Sequence, residues 1–239
     1  KIIEHKNVMD SNIYSNIVFD YKHWKVKNIA LSEKNELFAC TTNSGILCVW
    51  NYNDWGRPYQ FQGDAKKAIS LAFSEEKTML FSGYNDGTIN IMDIDIFVDI
   101  SSKKISNNSI VFLSSIKGGL IIVDLYQNIY IYNLNDREVV ATYDGYSQNF
   151  TNIDISNNKN ILSISQSNGN IKLYDISSII SSEFIDGGWA SPFIRYKCTF
   201  KMSDKIISSD FSPSDDLLAV LMENGKTNYI DIINNKIYS

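Results

Sequence analysis

A short hairpin pattern recurs along this chain, and its recurrence constrains the fold more than any other feature. Around Asn85-Asp86-Gly87 the sequence reads as strand, short turn, strand, tight turn, strand. Asn-Asp-Gly between two alternating apolar runs favours a hairpin, because Asn and Gly accept a positive φ at little cost. Three markers repeat in register with it. A serine closes an apolar strand at Ser32, Ser74, Ser114, Ser156 and Ser212, at intervals of 42, 40, 42 and 56 residues. A turn residue follows at Gly45, Gly87, Asn128, Gly169 and Gly225. An aromatic or apolar residue then precedes Asn or Asp at Trp50-Asn51, Met92-Asp93, Tyr132-Asn133, Tyr174-Asp175 and Ile230-Asp231.

A period near 40 with several strands per unit predicts propeller blades. The residues also carry a family resemblance over roughly residues 16–239. Phe211-Ser212-Pro213, the turn Asp86-Gly87-Thr88-Ile89, and Tyr174-Asp175 or Met92-Asp93 in place of Trp-Asp resemble a WD-repeat β-propeller with degenerate repeats. The expected fold is therefore all-β: four-stranded antiparallel blades, at least five in this chain, with a seven-bladed ring as the larger form that the count leaves open. A single domain spans 1–239, with blades at about 24–62, 66–104, 109–144, 149–200 and 205–239. The longer fourth interval is assigned to an insertion at 177–194. Ile17–Tyr21 reads as the outer strand of a preceding blade. Closure is expected from chain or segments beyond these five units rather than from a partner.

Composition excludes several classes. Apolar residues make up 44% and aromatics 13%, too many for a disordered chain. Net charge is −5 and the only arginines are Arg57, Arg137 and Arg195, so no basic face for nucleic acid is evident and none is expected as a partner. No apolar run approaches the roughly 18–20 residues that span a bilayer. Cys40, Cys48 and Cys198 form an odd set without Cys-x-x-Cys spacing, which points to reduced thiols and a cytoplasmic or nuclear location.

Catalytic signatures are lacking. His5 and His23 have no metal-ligand partners at useful spacing, and there is no nucleophile elbow or phosphate loop. The reading is a non-enzyme without metal or cofactor. Asp154 and Asp210, each two residues before an anchor serine on an inner strand, are expected to be largely buried and hydrogen-bonded, with Ala30, Ala72 and Phe112 as their counterparts. The resemblance implies a buried His, Ser/Thr, Asp, Trp network, which this chain lacks almost everywhere: Asp64 stands where the His belonging to Asp86 is expected.

Candidate partner-binding residues are aromatic or basic. Trp24, Lys25, Tyr84, Tyr126 and Tyr146 are placed on one face; Trp55, Arg57, Phe184, Trp189 and Phe193 are placed on the other. Tyr, Trp and Arg are the residue types most concentrated in interface hot spots. The expected function is a protein–protein interaction scaffold or adaptor, a subunit of a hetero-complex. The alternative is a substrate-recognition subunit, for example of a ubiquitin ligase, holding a peptide at the propeller face. Less favoured readings are a hydrolase and a phosphoinositide-binding propeller, since Phe193-Ile194-Arg195-Tyr196 lacks paired arginines.

Overall fold

The computed structural model describes residues 2–5, 16–19, 25–53, 58–62, 66–145, 149–181 and 194–238. A two-stranded antiparallel sheet comes first: β1 (Ile2–His5) pairs with β2 (Asn16–Phe19), with Ile2 opposite Phe19. β2 falls largely within the segment expected as the outer strand of a preceding blade, and β1 is its partner strand.

Five four-stranded sheets follow, each an antiparallel meander in chain order. Blade 1 holds β3 (Val26–Ser32), β4 (Leu37–Thr42), β5 (Ile46–Asn51) and β6 (Tyr59–Gln62). Blade 2 holds β7 (Ala68–Phe73), β8 (Met79–Tyr84), β9 (Thr88–Asp93) and β10 (Val98–Lys104). Blade 3 holds β11 (Ile110–Ile116), β12 (Gly119–Asp124), β13 (Ile129–Asn133) and β14 (Glu138–Tyr143). Blade 4 holds β15 (Phe150–Ile155), β16 (Ile161–Gln166), β17 (Asn170–Asp175), the short helix α1 (Ser177–Ser181) and β18 (Arg195–Lys201). Blade 5 holds β19 (Ile206–Phe211), β20 (Leu217–Met222), β21 (Thr227–Asp231) and β22 (Lys236–Tyr238).

Strand alternation sends each blade's apolar residues to both faces, and the sheets bury them against one another. Leu37, Ala39, Leu47 and Val49 of blade 1 meet Leu71, Phe73 and Leu80 of blade 2. Phe81, Ile89 and Ile91 meet Ile110, Leu120 and Tyr132 of blade 3. Ile121, Val123 and Ile131 meet Leu162 and Ile164 of blade 4. Ile171, Leu173 and Phe200 meet Phe211, Leu218 and Val220 of blade 5. These are the faces of a β-propeller, stacked radially with the first strand of each sheet innermost.

The inner strands share one irregularity. In all five, the register with the second strand shifts at the same place, just before Asn28, Ser70, Phe112, Asn152 and Ser208. A bulge re-aims the residue that follows it, and in three blades that residue clasps the next blade. Asn28 donates its amide to the Ile69 carbonyl, Ser70 Oγ donates to the Ile110 carbonyl at 2.7 Å, and Asn152 Nδ2 donates to the Ser209 carbonyl at 2.6 Å. Blade 3 carries Phe112 there and packs by apolar contact instead.

The turn between second and third strands demands a left-handed residue, as at Gly87 (φ 85°), where an added Cβ would lie 2.0 Å from the Ser106 carbonyl oxygen. Blade 3 fills this position with Gln127 (φ 65°), one residue before the expected Asn128. A second correction concerns the same blade. Its inner hairpin closes on the two-residue turn Lys117-Gly118, so β11 runs two residues beyond Ser114. Ile116 occupies the place of the anchor serine, and Ser114, not Phe112, is the counterpart of Asp154 and Asp210.

Candidate protein-docking faces

Each blade presents its inner hairpin turn on one face, here the lower, and its second-to-third-strand turn on the upper. On the lower face a cavity of about 810 Å³ opens where the inner hairpin turns converge. Its walls include Ile29, Leu31, Phe73 and Leu113, with Glu33, Glu75 and Lys159 at the rim. Ile29 and Leu31 are 66% and 59% exposed on an inner strand. A shallower hollow of about 490 Å³, lined by Leu31, Glu33, Phe38 and Tyr52, shares Leu31 and Glu33 with it.

The turns around this mouth are tied together. Lys34 Nζ donates to the Glu76 carbonyl of the next blade at 2.9 Å. Lys159 Nζ of blade 4 lies 3.1 Å from Glu75 Oε1 of blade 2, bridging past blade 3. Asp215 of blade 5 accepts from the backbone of Asn157 at 2.7 Å and of Asn158 at 2.8 Å. Such cross-blade bonds hold the mouth's outline.

Asp154 sits beside this region, half-buried, its carboxylate accepting from the backbone N–H of Ile155 at 2.8 Å and of Phe211 at 3.2 Å. Burial, reinforced by the neighbouring Asp210 carboxylate, pushes its pKa up to about 6. Asp210 itself is exposed, so the expectation of burial fails for it. Both facing groups are carboxylates, and no group of three or more metal-ligating side chains occurs among the described residues.

Sequence reasoning missed the strongest polar centre. Asp124, fully buried at the end of β12, accepts from six donors: Ser106 Oγ (2.7 Å), Asn108 Nδ2 (3.1 Å), Asn128 N and Nδ2 (both 3.0 Å), Tyr126 N (2.9 Å) and Tyr130 OH (3.1 Å). Burial raises its pKa, but the donors from Ser106, Asn128 and Asn108 outweigh that and hold it below the usual carboxylate range. The only sequence signal was an Asp two residues before Tyr126 in a unit lacking the turn glycine.

Of the candidate partner-binding residues, Lys25 and Tyr126 are exposed at the upper face. Tyr84 is a correction: it is 8% exposed, its hydroxyl 3.4 Å from both Ser82 Oγ and Asn90 Nδ2, so it packs in blade 2 rather than facing a partner. β8 is covered on both faces, and every residue from Leu80 to Tyr84 is buried. Trp24, Trp55, Arg57, Tyr146, Phe184, Trp189 and Phe193 lie outside the described residues. The insertion opens with α1, capped by Asp175 Oδ1, which accepts from Ser177 N at 3.0 Å; Ile179 is buried against blades 3 and 4. Asp86 of blade 2 pairs with Lys66 Nζ at 3.1 Å; Asp64 lies outside the described residues.

Comparison with known proteins agrees with this geometry. The sequence profile of the family described as "WD domain, G-beta repeat" matches residues 56–93, which take in the Asn85-Asp86-Gly87 turn. Residues 56–93 thus resemble one WD repeat, within a chain that has the fold of a β-propeller. A chain in a solved structure, "Crystal Structure of Mitotic Checkpoint Complex", superposes with a TM-score of 0.67 at 15% identity, covering 85% of this chain and 60% of that one. The present chain thus spans about three-fifths of that neighbour's length. Comparison with curated proteins found no match.

Proposed function

We propose that this propeller is a non-catalytic docking platform, a subunit of a hetero-complex that holds a segment of a partner protein at the lower mouth. The observation that carries this reading is the cavity of about 810 Å³ with exposed Ile29 and Leu31 inside a rim of Glu33, Glu75 and Lys159. Apolar anchors ringed by charges are the usual composition of a protein interface. The neighbouring fold's presence in a multiprotein assembly is in keeping with it. Three unbonded cysteines, Cys40, Cys48 and Cys198, support placing the protein in the cytoplasm or nucleus.

Affinity purification of the full-length protein followed by mass spectrometry tests the proposal. Leu31→Asp is expected to lose the partners that wild type retains, with an unchanged melting temperature because Leu31 is exposed. Identical partner lists from the two proteins would refute the lower mouth as the docking site.

A further inference from the structure

A second concave site lies away from the mouth. Along the outside of the ring, between blades 3 and 4, runs a groove of about 490 Å³. Tyr143 comes from β14, Tyr174 from β17 and Tyr196 from β18; Gln127 lies at one end, with Asp144 and Lys172 on the sides. Tyr174 and Tyr196 meet edge to face at 6.1 Å and 74°, leaving Tyr196 55% exposed. Tyr143 is fixed by a hydrogen bond between its hydroxyl and the Ile194 backbone. An aromatic wall is therefore built into the groove by ordered strands.

The polar side of the groove has an unmet need. Gln127 is 4% exposed, and its Nε2 has no hydrogen-bond partner among the described residues. An unsatisfied buried amide costs about 1–3 kcal/mol, so an occupant offering an acceptor there gains from supplying it. Gln127 also holds a left-handed backbone that glycine fills in the other four blades. The turn's conformation therefore does not account for this side chain. Gly145 presses on the same turn, since a Cβ there would lie 2.3 Å from the Tyr126 carbonyl oxygen, and its N–H donates to Asn128 Oδ1 at 2.8 Å. The groove end is thereby kept narrow and in place.

We propose that this groove binds a proline-rich segment of another protein in the polyproline II conformation. Such a segment is ordered before binding, exposes its carbonyl oxygens, and at each proline has no N–H to satisfy. It offers acceptors and flat apolar rings, which match an orphan donor and a row of tyrosine faces. Lys172 adds a further donor for its carbonyls. Asp144, exposed at the groove edge, selects a lysine or arginine beside the proline run. None of the 239 residues here supplies the occupant, because their prolines, Pro58, Pro192 and Pro213, form no run.

Fluorescence anisotropy decides the matter. The probe is a fluorescein-labelled dodecapeptide with proline at two of every three positions and one terminal arginine; the control has glycine and serine in place of proline. Saturable binding of the first peptide and not the second is expected, weakened about tenfold by Tyr196→Ala and about fivefold by Gln127→Leu. Leu31→Asp is expected to leave it intact, which separates this site from the mouth. Tyr196 is exposed, so Tyr196→Ala keeps the test decisive should Gln127→Leu unfold. Absence of saturable binding, equal binding of the two peptides, or wild-type affinity in Tyr196→Ala would overturn the proposal.

Discussion

Two aspartates with opposite environments show how single residues set this protein's stability. Asp124 is buried as an anion among six donors, so its charge is an asset. Asn in its place turns an amide NH₂ either toward the backbone N–H groups of Tyr126 and Asn128 or toward the side-chain NH₂ groups of Asn108 and Asn128, none of which can accept. Asp124→Asn is expected to cost about 3 kcal/mol in urea unfolding. Because the folded pKa lies below the unfolded one, the stability from Asp124 is present above about pH 4 and lost as pH falls further. Asp154 works the other way. Its folded pKa of about 6 exceeds the unfolded value of about 3.9, so the folded state binds the proton more tightly. Its contribution is present below about pH 4 and is lost as pH rises through 6. Asp154→Asn keeps an acceptor for the Phe211 N–H and removes the repulsion from Asp210. It is expected to raise stability at pH 8 by about 2 kcal/mol and to flatten the profile between pH 4 and 6. Thermal melts of the two variants across pH 3–8 check both signs; a loss of stability for Asp154→Asn at pH 8 would contradict this account.

At the scale of elements, the second-to-third-strand turn separates backbone strain from crowding. Gly87 and Gly225 have nearly the same φ, 85° and 79°, yet a Cβ on Gly87 runs into the Ser106 and Asn108 carbonyls while one on Gly225 meets nothing within 4 Å. Gly225→Ala is expected to cost about 1 kcal/mol, the price of a left-handed alanine alone. Gly87→Ala is expected to cost about 3 kcal/mol or more, because the linker into blade 3 must move. Chemical denaturation of the pair measures the difference. These turns also explain what could be read beforehand. Glycine announced four of the five turns, and alternation placed the strands between them. Blade 3 was misaligned by two residues at Ser114 and by one at Gln127, because its inner hairpin is tighter and its outer turn has no glycine. The clasp residues Asn28, Ser70 and Asn152 were not legible either. A bulge decides which way they point, and a bulge leaves no mark in an alternating pattern. Among candidate contact residues, the sequence could nominate Tyr84 by type, but it lies on a strand covered on both faces and is buried. The Tyr143, Tyr174, Tyr196 groove joins residues from two blades, which no local pattern brings together.

The whole molecule is a stack whose members differ in how many neighbours cover them. Blades 2, 3 and 4 have apolar clusters on both faces. Within the stretch of residues 2–238, blade 5 buries Leu218, Val220 and Ile230 against blade 4, while Leu221, Tyr229 and Ile237 on its strands stand exposed among the described residues. In a quasi-repetitive structure stability is close to a sum of unit and neighbour terms, so a unit with one interface opens at lower free energy than one with two. Blade 3 adds the Asp124 lock and a second strand, Gly119–Asp124, buried along its whole length. Amide hydrogen exchange followed by mass spectrometry is therefore expected to show a gradient. Peptides covering β11–β13 exchange slowest, those covering β7–β9 and β16–β17 follow, and those covering β21–β22 exchange fastest. Adding the captured partner of the lower mouth should slow exchange in the inner hairpin turns around Glu33 and Glu75 and leave β21–β22 fast. Uniform protection across the five sheets would mean that blade-to-blade packing does not set the order, and the additive picture of stacked sheets would fail with it.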